Sequence, residues 1–145
     1  MNQAALLHTT KPARLVDEDR VRWLIDSVRE NRFLPQPEST NVFVGDGDFR
    51  AIGAEFLGYF IRIGGLREDS RVLDIGCGIG RMAVPLTQYL DPKTSRYDGI
   101  DPVEGGIGWC QQTITPAYPT FAFQRLDIAH ELYNPNGKIS GRTLR

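Results

Sequence analysis

Residues 71–81 read RVLDIGCGIGR, an apolar run that passes into a glycine-rich loop. Arg71 to Ile75 is a short apolar run passing directly into glycines, which is how a buried parallel strand enters a loop. Gly76, Gly78 and Gly80 follow in alternation with Cys77 and Ile79. Glycines at this spacing admit positive φ and let a ligand approach the backbone at the carboxyl end of a strand, where open α/β sheets bind their cofactors. The next segment, Arg81 to Leu90, is predicted to be a helix with Met82, Ala83, Leu86, Tyr89 and Leu90 on its apolar face. Pro85 should kink that helix or delay its regular part.

Further along the chain, Tyr97 to Asp101 (YDGID) reads as a second strand, Val103 to Gln112 as a glycine-containing helix, and Phe121 to Asp127 as a third strand. Strand, helix, strand, helix, strand makes a βαβαβ unit. Toward the N-terminus, Asp17 to Asn31 sets Val21, Leu24, Ile25 and Val28 at helical spacing behind an acidic start, which suits the positive end of a helix dipole. Pro35 and Pro37 close that segment. A second helix is predicted from Asp48, a good N-cap, with Phe49, Ile52, Phe56, Leu57, Phe60 and Ile61 on one face and an end near Gly64 and Gly65. Residues 131–145 carry turn formers and no apolar face, and read as loop or disordered tail. The expected organisation is a helical segment and loop over 1–44, a ligand-binding βαβαβ domain over 45–130, and the tail over 131–145.

The chain has 145 residues, enough for one domain with a real core. With 41% hydrophobic and 24% charged residues it has the composition of a globular protein. A formal net charge of -1 gives no global attraction to nucleic acid or to an anionic membrane. The N-terminal residues offer only a four-residue apolar stretch, Ala4 to Leu7, too short for a signal-peptide core or a membrane span, so a cytoplasmic location is expected. Cys77 and Cys110 lack metal-ligand spacing and are expected to be reduced structural thiols. His8 and His130 have no partner at catalytic spacing, and no metal site is expected.

The dinucleotide fingerprint G-x-G-x-x-G would need a third glycine where Arg81 stands, which weighs against nicotinamide and flavin binding. The pattern Asp-x-Gly-x-Gly-x-Gly over Asp74–Gly80 instead resembles the first motif of class I S-adenosylmethionine-dependent methyltransferases. The resemblance extends from about Gly45 to Asp127 and includes YDGIDP at 97–102. It implies an α/β, Rossmann-like methyltransferase fold, present here as an incomplete parallel sheet of about three strands with N-terminal helices. It also implies that the 76–80 loop wraps the methionine end of S-adenosylmethionine, with Asp74 helping to satisfy the ammonium group. Asp101 matches the acidic residue that accepts both ribose hydroxyls. Asp127 matches the residue that accepts from the adenine amino group, with Val103 and Ile128 as apolar walls; helix or loop capping is an equal reading of Asp127. The candidate donor-binding set is therefore Asp74, Gly76, Cys77, Gly78, Gly80, Asp101, Pro102, Asp127 and Ile128, with Cys77 read as a packing residue within the loop.

No catalytic residue is assigned, because in the resembling family the acceptor-binding residues follow the fourth strand. The chain is expected to be a fragment of a methyltransferase whose acceptor is unidentified, a small molecule being favoured. Its open sheet edge would be covered by the rest of a longer protein, by another chain, or by a second copy in a homodimer. Two other readings stand beside this one: a non-catalytic S-adenosylmethionine-binding or interaction module, and, with less support, a nucleotide-dependent oxidoreductase.

Overall fold

The computed structural model describes residues 15–38 and 47–140. His8 and Gly45 lie outside those residues, as does the expected boundary between 44 and 45. Among these residues seven elements follow in chain order: α1 (Glu18–Glu30), α2 (Phe49–Arg62), β1 (Arg71–Ile75), α3 (Ala83–Leu86), β2 (Arg96–Asp101), α4 (Glu104–Thr113) and β3 (Phe121–Arg125). The three strands form one parallel sheet in the order β1-β2-β3. The fold is thus α/β and Rossmann-like, an open βαβαβ sheet preceded by two helices.

Both N-terminal helices begin where an aspartate can cap them. The Asp17 carboxylate accepts from the Arg20 amide at 3.0 Å, and Asp48 from the Ala51 amide at 2.6 Å, each satisfying one orphan donor of the first turn. Helix α2 ends as the glycines predict: the Leu66 amide returns to the Phe60 carbonyl at 2.9 Å across Gly65, whose φ is +66°. Helix α1 packs on α2 through buried Val21 and Val28, and Arg62 reaches back to Glu18 at 2.9 Å. Helix α2 in turn lies across the segment after the glycine loop. A Cβ at Gly53 would sit 2.7 Å from the Arg81 carbonyl oxygen, so the close crossing requires glycine.

Two elements are shorter than their sequence suggests. The helix expected over Arg81–Leu90 contracts to the single turn Ala83–Leu86. Pro85 has no N–H to donate, and the chain beyond it tightens into i to i+3 bonds, Gln88 to Pro85 at 3.1 Å and Tyr89 to Leu86 at 3.1 Å. The third strand stops at Arg125 rather than Asp127. Its partner β2 ends at Asp101, opposite Arg125, and Pro102 offers no amide to continue the ladder. The last bond runs from the Leu126 amide to the Asp101 carbonyl at 3.1 Å. Beyond it the tail is a tied loop through Ser140: Ile139 and Ala129 exchange bonds with Asp127 and Ile139 at 2.9 and 2.8 Å, and Asn134 is buried.

The two faces of the sheet differ. Tyr97, Gly99, Asp101, Phe121 and Phe123 point to a buried face, and α4 packs against β2 and β3. On β1 the alternate residues Leu73 and Ile75 remain 63% and 75% exposed. Strand β1 is also an edge, bonded to β2 alone among the described strands. An apolar face and an open ladder at the same strand leave surface that a folded protein ordinarily covers.

Candidate functional site

The glycine loop leaves β1 at Ile75 and is fastened at once to the end of β2. The amides of Gly76 and Cys77 both donate to the Ile100 carbonyl, at 2.8 and 3.1 Å, and the Gly80 amide closes the turn on the Cys77 carbonyl at 2.9 Å. Gly76, Gly78 and Gly80 all have positive φ, +87°, +56° and +76°, a conformation that L side chains rarely adopt. Their surroundings divide them. A Cβ on Gly80 would meet Cys110 Sγ at 2.9 Å and Ile114 Cδ1 at 3.0 Å, so this glycine is needed for packing against α4. A Cβ on Gly76 or Gly78 would meet no heavy atom of the described residues within 4 Å. Among the described residues the crest of the loop therefore borders open space, as a backbone cradle for a ligand must.

Two aspartates flank the cradle. Asp101 ends β2 and is 8% exposed. Its Oδ2 accepts from the Gly78 amide at 2.8 Å and its Oδ1 from the Val103 amide at 2.8 Å. One carboxylate thus holds the glycine loop and the entry to α4 together. Asp74, on β1, accepts a hydrogen bond at Oδ2 from the Tyr97 hydroxyl. Partial burial is the main reason Asp74 titrates above the usual carboxylate range; the Tyr97 hydrogen bond opposes that rise and the nearby Asp101 charge adds to it.

Cys77 and Cys110 are buried free thiols. Burial pushes the Cys77 thiol up and raises Cys110 to about 12, with smaller contributions from the neighbouring acids. Both are consequently inert as nucleophiles near neutral pH. Among the described residues no group of three or more His, Cys, Asp and Glu could hold a metal.

Asp127 and Ile128 lie just beyond the end of β3, next to the loop that carries Pro102. Asp127 Oδ1 accepts from Asn134 Nδ2 at 2.9 Å and from Arg125 Nη2 at 3.1 Å. The Asn134 bond is the first cause of its depressed pKa, with the Lys138 amide and the Arg125 charge contributing. The Ile128 carbonyl accepts from the same Asn134 amide group at 2.9 Å. The structure therefore shows Asp127 closing its own loop. Pro102 contributes its carbonyl to Arg125 Nε at 3.1 Å, and Arg125 Nη1 reaches Glu104 at 3.2 Å.

The expected residues thus fall into two neighbouring groups: Asp74, the glycines, Cys77 and Asp101 around the cradle, and Pro102, Asp127 and Ile128 along the adjoining loops. Three further participants carry no mark in the local sequence. By sequence alone Tyr97 and Arg125 read as strand residues and Asn134 as part of a loop or disordered tail. Each acts through a partner chosen by the fold, and no local spacing marks them. Phe49 is buried, with the Arg81 guanidinium 5.8 Å from its ring centroid.

No protein-family model matches the sequence. Among solved structures, the chain is similar to coclaurine N-methyltransferase bound to N-methylheliamine and S-adenosylhomocysteine, at 15% identity and a TM-score of 0.45, over 75% of this chain and 36% of that one. It is similar to a protein-L-isoaspartate O-methyltransferase at 13% identity and a TM-score of 0.46, over 74% of this chain and 41% of that one. A third, the CurJ carbon methyltransferase, is 20% identical at a TM-score of 0.38, over 52% and 20%. The chain spans well under half the length of these three structures.

Proposed function

We propose that this chain binds S-adenosylmethionine at the glycine loop and belongs to a methyltransferase. The observation that carries the reading is the bond between the Gly78 amide and Asp101 Oδ2, which sets a positive-φ loop with open space over Gly76 and Gly78 beside two acidic side chains. In this reading Asp74 accepts from the donor's ammonium group and Asp101, besides anchoring the loop, accepts from the ribose hydroxyls with its remaining lone pairs. Pro102 and Ile128 line the adenine end. When bound, the donor supplies a methyl group on a sulfonium, electrophilic without help from the protein. The chain's own contribution is then to align the donor and to keep water from it.

The acceptor in this reading is a small molecule, contacted by structure beyond the three strands, and the buried free thiols suit a reducing, cytoplasmic setting. The exposed Leu73 and Ile75 on an open edge favour a second reading beside it. There the chain is a donor-binding module that another chain, a second copy included, completes through β1.

Replacing Asp101 by Asn tests the first reading. The variant keeps one acceptor oxygen but places an amide group where a backbone N–H or a hydroxyl must donate. S-adenosylhomocysteine affinity should fall by ~10- to 100-fold, the effect of losing one or two charge-assisted bonds. Unchanged affinity in a folded Asp101→Asn protein would remove Asp101 from the site.

A further inference from the structure

Tyr97 is fully buried, and its hydroxyl reaches the one carboxylate of β1. Its ring is clamped from β3, stacked on Phe121 with centroids 5.0 Å apart and planes 19° apart, and tilted against Phe123 at 5.6 Å. In the sheet it stands opposite Val72, so Asp74 is the next residue along β1 on the same face. A tyrosine so held has no freedom to turn its hydroxyl elsewhere. A buried phenol needs a partner for its O–H, and Asp74 Oδ2 is that partner. The other carboxylate oxygen, Asp74 Oδ1, takes no hydrogen bond among the described residues.

We propose that Tyr97 is a positioning residue for ligand binding: it fixes the Asp74 carboxylate through Oδ2 and leaves Oδ1 as the acceptor for a cationic ammonium on the ligand. The proposal rests on the donor-site reading above and names a residue that the glycine motif does not contain. Its chemistry is that of a charge-assisted network. The groups facing Asp74 are Tyr97 and Asp101 on β2, Cys77 on the loop and Cys110 on α4. The thiols stay neutral, Asp101 repels a second negative charge, and Tyr97 is the neighbour that favours the ionised carboxylate. Burial works against ionisation, so the hydroxyl offsets part of the cost of keeping an anion there.

The sign of the effect follows. An ammonium group binds ionised Asp74 and not the neutral acid, so affinity declines as pH falls through the pKa of Asp74. Tyr97→Phe deletes one oxygen, keeps the ring stack, and removes the bond that lowers that pKa. The decline should then begin at a higher pH.

The experiment measures affinity for S-adenosylhomocysteine and for 5′-methylthioadenosine, which lacks the amino-acid group, from about pH 4 to 8, with wild type, Tyr97→Phe and Asp74→Asn. The expected result is a midpoint for S-adenosylhomocysteine raised by about 0.5–1 pH unit in Tyr97→Phe. Asp74→Asn should show no such decline, and methylthioadenosine affinity should be alike in all three proteins. Identical midpoints in wild type and Tyr97→Phe would overturn the proposal while leaving the donor site intact. So would an equal loss for both ligands in Tyr97→Phe, which would mark a general loosening. If wild type binds neither ligand at any pH, the donor-site reading itself fails and the proposal with it.

Discussion

The amide of Gly78 donates to Oδ2 of Asp101 across 2.8 Å, joining residues 23 positions apart. The same carboxylate takes the Val103 amide, so the loop after β1 and the helix after β2 share one anchor. This arrangement makes the site a product of the sheet: the parallel pairing of β1 with β2 brings both strand ends to one place. It also ties function to stability, since whatever disturbs Asp101 disturbs the loop.

The glycines of the loop should respond unequally to alanine. Gly80→Ala adds a Cβ against Cys110 and Ile114 at a positive φ, combining backbone strain with overpacking, and should cost roughly 2–5 kcal/mol. Gly78→Ala meets only the backbone term, ~1–2 kcal/mol, because its Cβ enters open space. Urea denaturation of the two variants measures the difference. If ligand occupies that space, Gly78→Ala should lose binding out of proportion to its small loss of stability.

Asp74→Asn should stabilise the unliganded protein near neutral pH. A carboxyl whose folded pKa is raised favours the fold most below its unfolded pKa and loses that contribution as pH rises through the folded value. Replacing it by a neutral isostere removes the loss, and Asn can still accept from Tyr97. Because Asp74 is only partly buried, the gain should be small, roughly 2–4 °C in Tm. It should shrink toward zero as pH falls to about 4. Thermal melts across pH check both the sign and the window.

Much of this architecture is legible in the sequence. β1 has the bounds that RVLDI suggests, and α2 begins after the cap that Asp48 supplies. These features are local, decided by alternation, capping and glycine within a few residues. The structure departs from the local sequence pattern where a distant partner decides. β3 ends at Arg125 because β2 runs out at Pro102, and α3 shrinks because Pro85 cannot donate at a turn already pressed against Gly53. The candidate site shows the same division. Asp74, the glycines and Asp101 stand out by spacing, whereas Tyr97, Arg125 and Asn134 acquire their roles from partners 23, 23 and 7 positions away.

The loop over residues 127–139 should open in two steps of chemistry. Asn134→Ala removes the bond that most depresses the Asp127 pKa, and Arg125→Gln removes the links to Pro102, Glu104 and Asp127. Either change should speed amide exchange at Ala129 and Ile139 by about tenfold, the effect of one lost hydrogen bond. Asp127 is held low in the folded state, so its contribution is present above its unfolded pKa of about 3.9 and is lost as pH falls below that. Hydrogen exchange followed residue by residue distinguishes opening of this loop from unfolding of the sheet.

Both thiols should resist modification while the protein is folded. With Cys110 raised to about 12, its thiolate fraction at pH 8 lies about three orders of magnitude below that of a free cysteine. Cys77 is shifted in the same direction by burial. Reaction with an aromatic disulfide reagent should be slow in buffer and release two thiols per chain in denaturant. Rapid reaction of either cysteine in the native protein would contradict the packing of the loop against α4.

Titration calorimetry of the chain with S-adenosylmethionine, S-adenosylhomocysteine and NAD decides whether the glycine loop is a methyl-donor site. Both sulfur compounds should bind saturably with one site per chain, and NAD should not bind. Binding of NAD in preference to either, or no binding of the sulfur compounds to a chain shown to be folded, would contradict that assignment.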